Sequence, residues 1–219
     1  MDADKIQKQV ADKAGIGDAK LGGGTIFTEQ VLVVNQKAKL FEGSSNFSVF
    51  RADGSQIGSV RQVGQSKAGK LLKALSNLDA MMSARFEITD KNDVLQLVVA
   101  KPRTFIKGHM SVERADGTEI GKIEQKLRLG KAKFLLKVGD EQVGEIDAEN
   151  FRAWNFRITE AGGAEVARIT KTWAGLGKEM FTNADNYVLE ISRPLSDPLH
   201  SLAIASALTI DQLLKQFKS

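Results

Sequence analysis

The strongest structural signal in the chain is a twelve-residue segment, VFRADGSQIGSV (residues 49–60), which returns as VERADGTEIGKI at residues 112–123. Both copies place Asp-Gly between two runs in which apolar and polar residues alternate. Glycine accepts the positive φ of a tight primed turn because it has no Cβ that could clash. Asp-Gly between alternating runs therefore predicts a β-hairpin in each copy.

Weaker copies of the hairpin pattern occur at residues 86–99, 136–146 and 156–169. At least five hairpins imply a sheet of about ten or more strands, and a sheet of that size curls or closes. We therefore predict a mainly β (α+β) protein built as a closed antiparallel β-barrel. Three copies carry a glycine after Ile or Val, at Gly58, Gly121 and Gly144. No phosphate-binding glycine pattern surrounds them, so we interpret them as bulges or bends of the strands.

The C-terminal residues 198–217 depart from the β pattern. Their apolar residues form a helical stripe that widens around most of the circumference in the first half, which is typical of a helix buried on nearly all sides. The uncharged run from Ser201 to Ile210 is about half the length of a membrane span. We predict a helix over about 198–217 that is buried inside the barrel, so that each element covers the apolar surface of the other.

A second helical candidate spans residues 67–84, where leucines recur at helical spacing beside Lys67, Lys70 and Lys73. Two interpretations stay open. The segment can lie on an anionic membrane surface with the three lysines facing lipid, or it can cap the barrel with its lysines in water.

Composition narrows the classes of function. The 219 residues include 31 Lys and Arg, 27 Asp and Glu, and no cysteine, for a net charge of +4. A chain without cysteine excludes disulfides and thiolate catalysis and favours a reducing compartment. The N-terminus lacks the basic start and apolar run of a secretory signal. We expect a cytoplasmic protein, peripheral at the inner face of the membrane, with a polar helix and glycine-rich linker at 1–24 and the barrel domain at 25–219.

Catalytic groups are scarce. The two histidines, His109 and His200, lie in no metal-binding or nucleophile motif. No basic stretch is interleaved with aromatic residues as in single-strand nucleic-acid binding. We predict that the protein is not an enzyme, that it has no catalytic residues, and that it does not bind nucleic acid.

A candidate metal site lies in FTNADNYVLE (residues 181–190). The side-chain oxygens of Asn183, Asp185, Asn186 and Glu190 suit a hard cation such as calcium. The spacing departs from an EF-hand, because Val188 replaces the sixth-position glycine and Pro194 replaces the twelfth-position glutamate. The alternative is a turn in which Asn and Asp side chains bond their own backbone before a strand.

An ordered set of motifs resembles the phospholipid scramblases. Their lysine-x-tryptophan segment is matched by KTWAG (residues 171–175), and their Asp-Ala-Asp-Asn segment by FTNADNY (residues 181–187). Further matches in the same order are VLVVNQK (residues 31–37), Lys101-Pro102, IGKIEQ (residues 120–125) and LTID (residues 208–211). The resemblance extends over about residues 27–217 and is carried by the set rather than by any single motif.

This resemblance implies a closed barrel of about 12 strands around a hydrophobic C-terminal helix, as in tubby-like and LURP-one-related proteins. It also implies association with phospholipid and calcium-dependent movement of lipid between leaflets without ATP. Asn183 replaces the first aspartate of the calcium motif, so we expect weak or absent calcium binding. The leading hypothesis is a scramblase-like protein that moves phospholipid or binds an anionic membrane surface. The alternative is a soluble tubby-like module that binds a small ligand or a protein partner.

Overall fold

The computed structural model describes residues 3–17, 19–36, 46–63, 82–102, 109–126, 131–149, 155–173 and 185–217. Helix α1 spans Ala3–Lys8, a π-helical turn follows at Gln9–Lys13, and helix α2 spans Leu199–Phe217. The strands of the described residues are β1 (Val31–Gln36), β2 (Asn46–Phe50), β3 (Gln56–Val63), β4 (Met82–Asp90), β5 (Leu95–Pro102), β6 (His109–Arg114), β7 (Glu119–Lys126), β8 (Lys133–Val138), β9 (Glu141–Ala148), β10 (Asn155–Glu160), β11 (Glu165–Trp173) and β12 (Asp185–Ile191).

The twelve strands form a closed antiparallel barrel. Each strand pairs with the next along the chain, and β1 pairs with β12 to close the sheet. Closure leaves no strand of the sheet with an unpaired edge. The structure thus confirms the predicted mainly β fold.

The two copies of the repeated segment form matching hairpins. In the β2–β3 turn the Arg51 amide donates to the Ser55 carbonyl over 2.9 Å, and in the β6–β7 turn the Arg114 amide donates to the Thr118 carbonyl over 2.9 Å. Gly54 and Gly117 adopt φ of 88° and 86°. The hairpins are confirmed, but the predicted primed turns are wrong. The positive φ falls on the glycine and not on the aspartate before it, and the Gly54 and Gly117 amides donate to the Arg51 and Arg114 carbonyls, as in a type I turn that ends on a left-handed glycine.

The recurring strand glycines adjoin β-bulges, as the sequence indicated. The pairing register shifts next to each of these glycines. On the partner strands β2, β6 and β8, the shift follows the residue that pairs with Gly58, Gly121 and Gly144 respectively. A Cβ at Gly144 would lie 2.6 Å from the Thr159 carbonyl oxygen and 2.9 Å from Leu199 Cδ1 of α2. Gly144 therefore makes room for both the neighbouring strand and the central helix.

Helix α2 fills the barrel and is confirmed close to its predicted bounds. Every residue from Ser201 to Ile210 is buried, and α2 shares one core cluster with the inward-facing residues of the strands. The Ser206 hydroxyl donates to the Leu202 carbonyl over 2.6 Å and the Thr209 hydroxyl to the Ala205 carbonyl over 2.7 Å, so these buried hydroxyls are satisfied within the helix. Burial of a large apolar side chain contributes about 1.5–3 kcal/mol, which makes this cluster the main source of stability.

The end of the second helical candidate is corrected by the structure. Residues 82–84 belong to strand β4, because Ala84, Phe86 and Ile88 alternate with polar residues and pack on the core. Residues 67–81, including Lys67, Lys70 and Lys73, lie outside the described residues.

The N-terminal segment packs on the outside of the barrel. We call residues 3–17 the strap. Its Ile6 and Val10 are buried against the outward-facing side chains of three adjacent strands, which we call the outer apolar patch: Val31, Val33, Phe50 and Val188. The strap thus covers apolar surface that would otherwise face solvent.

Candidate functional site

The barrel has two chemically different ends. Successive antiparallel strands alternate in direction, so their connections alternate between the ends. One end, the turn end, carries the connections 51–55, 91–94, 115–118, 139–140 and 161–164, and the segment 192–198 that leads into α2. The other, the long-connection end, receives the connections 37–45, 64–81, 103–108, 127–132, 149–154 and 174–184.

Charge divides between these two ends. In the sequence, the connections of the long-connection end carry eleven Lys and Arg residues against four Asp and Glu residues. The connections of the turn end carry three Lys and Arg residues against five Asp and Glu residues. The strands are therefore joined at one end by connections of basic sequence, in a molecule whose net charge is only +4.

The outer wall between the ends is ion-paired. The Lys133 ammonium lies 2.7 Å from Glu145 and 3.3 Å from Asp147. Burial would lower the pKa of Lys133, but its contacts with Glu145 and Asp147 outweigh burial and raise it. On the same wall Lys137 pairs with Glu124 at 2.7 Å. These wall cations are each paired with carboxylates on adjacent strands.

The predicted lipid-facing lysines lie in one of the long connections of the sequence. Lys67, Lys70 and Lys73 fall in the connection from β3 to β4. Their side chains lie outside the described part of the chain, and their role stays a prediction.

The predicted calcium ligands spread over strand β12 and the connection before it. Asn183 lies outside the described residues, and Asp185 is the first residue of β12. Asn186 and Glu190 share the outer face with Val188, because Tyr187 and Leu189 pack into the core. Four residues of strand separate their backbones by about 13 Å. Calcium binds oxygen at about 2.3–2.6 Å, so the structure does not bring these two side chains together on one ion.

Within the described ranges, no three or more His, Asp or Glu residues are grouped so as to hold a metal ion. The predicted calcium set depends on residues outside these ranges and remains a prediction.

Asn186 is a buried strand residue, which its loop-like motif did not suggest. It is 1% exposed, and neither its Oδ1 nor its Nδ2 has a hydrogen-bond partner. Across the sheet its neighbours in register are Asn35 on β1 and Thr172 on β11. A buried polar group left unpaired costs about 1–3 kcal/mol, so Asn186 does not serve stability.

The chain that follows the strap is held by a buried carboxylate. Glu29 accepts hydrogen bonds from the amides of Gly22 and Gly24, at 2.9 and 2.7 Å. Arg51 Nε lies 3.2 Å from Glu29 Oε1 but is not aligned for a hydrogen bond, so this contact is an ion pair. Glu29 thus ties the start of the barrel domain to the β2–β3 turn.

The strap contact was not recognised from the sequence. A signal was present in Val31-Leu32-Val33-Val34, where four consecutive apolar residues require burial of both faces of β1. The barrel interior covers Leu32 and Val34, and the strap covers Val31 and Val33.

The histidines occupy structural positions. His200 is half-buried in the first turn of α2, with its ring edge-to-face on Phe27 at a centroid distance of 6.1 Å. Burial lowers the pKa of His200, and the charge of Asp197 opposes this in part. His109 begins strand β6.

None of the helices in the described ranges combines the length and the apolar character that a membrane span requires.

Comparisons with known proteins give the family. The family model described as Scramblase matches residues 82–216. The chain is 22% identical over 222 residues to the Saccharomyces cerevisiae altered inheritance rate of mitochondria protein 25, covering 86% of this chain and 67% of that protein. It is 22% identical over 184 residues to the Schizosaccharomyces pombe phospholipid scramblase family protein C343.06c, covering 76% of this chain and 47% of that protein. No solved structure matches the chain. The family model extends over more than half of a barrel whose fold agrees with the motifs, and the chain belongs to the scramblase family.

Proposed function

We propose that this protein is a non-enzymatic, scramblase-like protein that binds anionic phospholipid surfaces through the long-connection end of its barrel. The observation that carries the proposal is the charge division, eleven basic against four acidic residues in the connections of that end. Basic residues close to an anionic membrane contribute about 1 kcal/mol each. Membership of the scramblase family supports phospholipid as the partner.

The same connections carry large apolar side chains. Phe41, Phe105, Phe151, Trp154 and Phe181 all fall within them, whereas the turn-end connections contain no aromatic residue in their sequence. Basic residues combined with aromatic and aliphatic residues are typical of segments that insert at the headgroup boundary. This composition favours a membrane surface over a soluble anion as the partner.

The filled interior argues for surface binding rather than passage through the barrel. Residues Ser201 to Ile210 of α2 are buried within it, and the strands are paired around the whole circumference. Opening a lumen would require removing α2 from its core cluster or breaking strand pairs, and each unpaired backbone group in lipid costs several kcal/mol. Any movement of phospholipid between leaflets would therefore follow the outer surface.

A vesicle experiment tests the proposal. Purified protein is floated with vesicles of phosphatidylcholine alone or mixed with phosphatidylserine, at low and high salt. We expect binding to the anionic vesicles that weakens as salt screens it. Dithionite quenching of a fluorescent lipid, with and without calcium, measures transbilayer movement in the same samples. Absence of flotation at low salt would contradict the proposal and favour a soluble tubby-like module.

Charge-reversal variants locate the surface. The triple variant K67E/K70E/K73E is compared with K91E/K122E/R193E, which changes the total charge equally but away from the long-connection end. Loss of about 1 kcal/mol per lysine weakens binding by about two orders of magnitude for the first variant. Equal loss in both variants would mean that net charge, not this end, governs binding. Thermal unfolding of both variants checks that each is folded.

A further inference from the structure

The outer apolar patch is a continuous surface under a small cover. Val33 of β1 pairs in register with Phe50 of β2 and with Val188 of β12, so the patch crosses three adjacent strands. All four patch residues are at most 5% exposed, because the strap lies over them. Without the strap these side chains would form an exposed apolar surface of the kind that marks a protein or membrane contact.

The cover is small for the surface it protects. Its large apolar contacts are the buried Ile6 and Val10 and the partly buried Ile16, and the Gln9 Oε1 is buried there without a hydrogen-bond partner. Gln7 Nε2 donates to the Asp53 carbonyl over 3.5 Å, at the long limit of a hydrogen bond. Opening would return the Gln9 side chain to water. Segments with few buried contacts are the ones that open locally without global unfolding.

The helix geometry of the strap and the attachment of the chain at Glu29 also favour opening of the strap. Residues Gln9–Lys13 form a π-helical turn, a rare geometry that is frequent at functional sites. Gly15 follows with φ of 74°, and further along the amides of Gly22 and Gly24 are bound to Glu29. The chain can therefore leave the wall up to the Glu29 contact while the barrel stays intact.

We propose that the strap is a displaceable cover, and that the outer apolar patch docks on a phospholipid surface when the strap moves away. This inference rests on the proposed function, because the partner is the same. The patch presents aliphatic and aromatic side chains and no charge. The solvent-facing side of the strap carries Lys5, Lys8 and Lys13 against two aspartates. Once released, the strap presents Ile6 and Val10 on one side and these lysines on the other, which suits an anionic bilayer interface.

Paired variants test the inference with matched charge. I6D/V10D removes the two buried apolar contacts of the strap, whereas A11D/G17D places two aspartates at exposed positions of it. We expect I6D/V10D to float with phosphatidylserine-containing vesicles severalfold more than A11D/G17D. Adding Val33→Asn to the opened variant removes the apolar character of the patch without changing the charge and should return flotation to the level of A11D/G17D.

Native protein gives a second readout that needs no substitution. In hydrogen exchange with mass spectrometry, vesicles should accelerate exchange of the strap amides and leave those of α2 unchanged. If wild-type protein floats but I6D/V10D equals A11D/G17D and strap exchange is unaltered, the inference is overturned while the proposed function stands. If no variant floats, both are overturned. If I6D/V10D forms dimers that do not float, a second copy is the occupant and the lipid assignment is wrong.

Discussion

Gly144 is the position where the fit between the barrel and its central helix can be tested most directly. A methyl group there would lie 2.6 Å from the Thr159 carbonyl oxygen and 2.9 Å from Leu199 Cδ1. Ordinary contacts of a Cβ begin near 3.4 Å, so strand or helix must move by several tenths of an ångström. Overpacking of this kind costs about 1–3 kcal/mol. We expect Gly144→Ala to lower the free energy of unfolding by about 2 kcal/mol.

The measurement is equilibrium unfolding in urea, with Gly162→Ala as the matched control. Gly162 has no atom within 4 Å of the added Cβ, so the same substitution there should be neutral or stabilise by about 0.4–1 kcal/mol. The double variant G144A/L199A separates the two contacts. If α2 contributes, truncating Leu199 should recover part of the loss, with a coupling of about 0.5 kcal/mol or more. Equal midpoints for G144A and G162A would refute the packing argument.

Three further outcomes are expected. Asn186→Leu should raise the free energy of unfolding by about 1 kcal/mol in urea melts, because it removes two buried unpaired groups; a decrease would mean that Asn186 has a partner in solution. Burial raises the pKa of Asp197, but hydrogen bonds from the start of α2 and from an arginine outweigh this and lower it. Its stabilisation is therefore present above the unfolded-state pKa and lost as pH falls through the lower folded-state pKa. The Asp197 side chain is 41% exposed, so solvent screens its ion pair, and Asp197→Asn should lower the free energy of unfolding at pH 7 by less than about 1 kcal/mol. Urea melts should show wild type and variant converging in acid. Gly54→Ala should accelerate hydrogen exchange of the strap, since its Cβ would lie 2.6 Å from Ala3 Cα. Gly117→Ala, with the same φ and nothing within 4 Å, should not.

Local sequence patterns predicted much of this fold because the contacts they encode are local. Asp-Gly turns between alternating runs join neighbouring strands, and an all-round apolar helix must be enclosed. Pairing of β1 with β12 joins residues Val31 and Glu190. Alternation cannot specify such a partner, since every strand of period two presents the same pattern. Closure was inferred from the number of strands and from the family motifs.

The candidate site was predicted less well. The motif around Asn186 was interpreted by its oxygen atoms, although the alternation of Tyr187 and Leu189 with Val188 already indicated a strand. Within β12, Asn186 and Glu190 share one face but lie four residues apart, and the calcium set that also includes Asn183 stays a prediction. The strap was missed because Ile6 and Val10 are too few to distinguish a packed helix from a polar one.

The net charge of +4 did not by itself indicate a partner, and the topology explains why. Outside the connections, the strands, helices and chain termini carry seventeen basic and eighteen acidic residues, close to neutrality. Several of the wall residues, such as Lys133, are paired with carboxylates on adjacent strands. The basic excess therefore lies in the sequence of the connections that join one end of the barrel. Long-range attraction depends on this distribution, so an anionic surface should orient the barrel with its long-connection end leading.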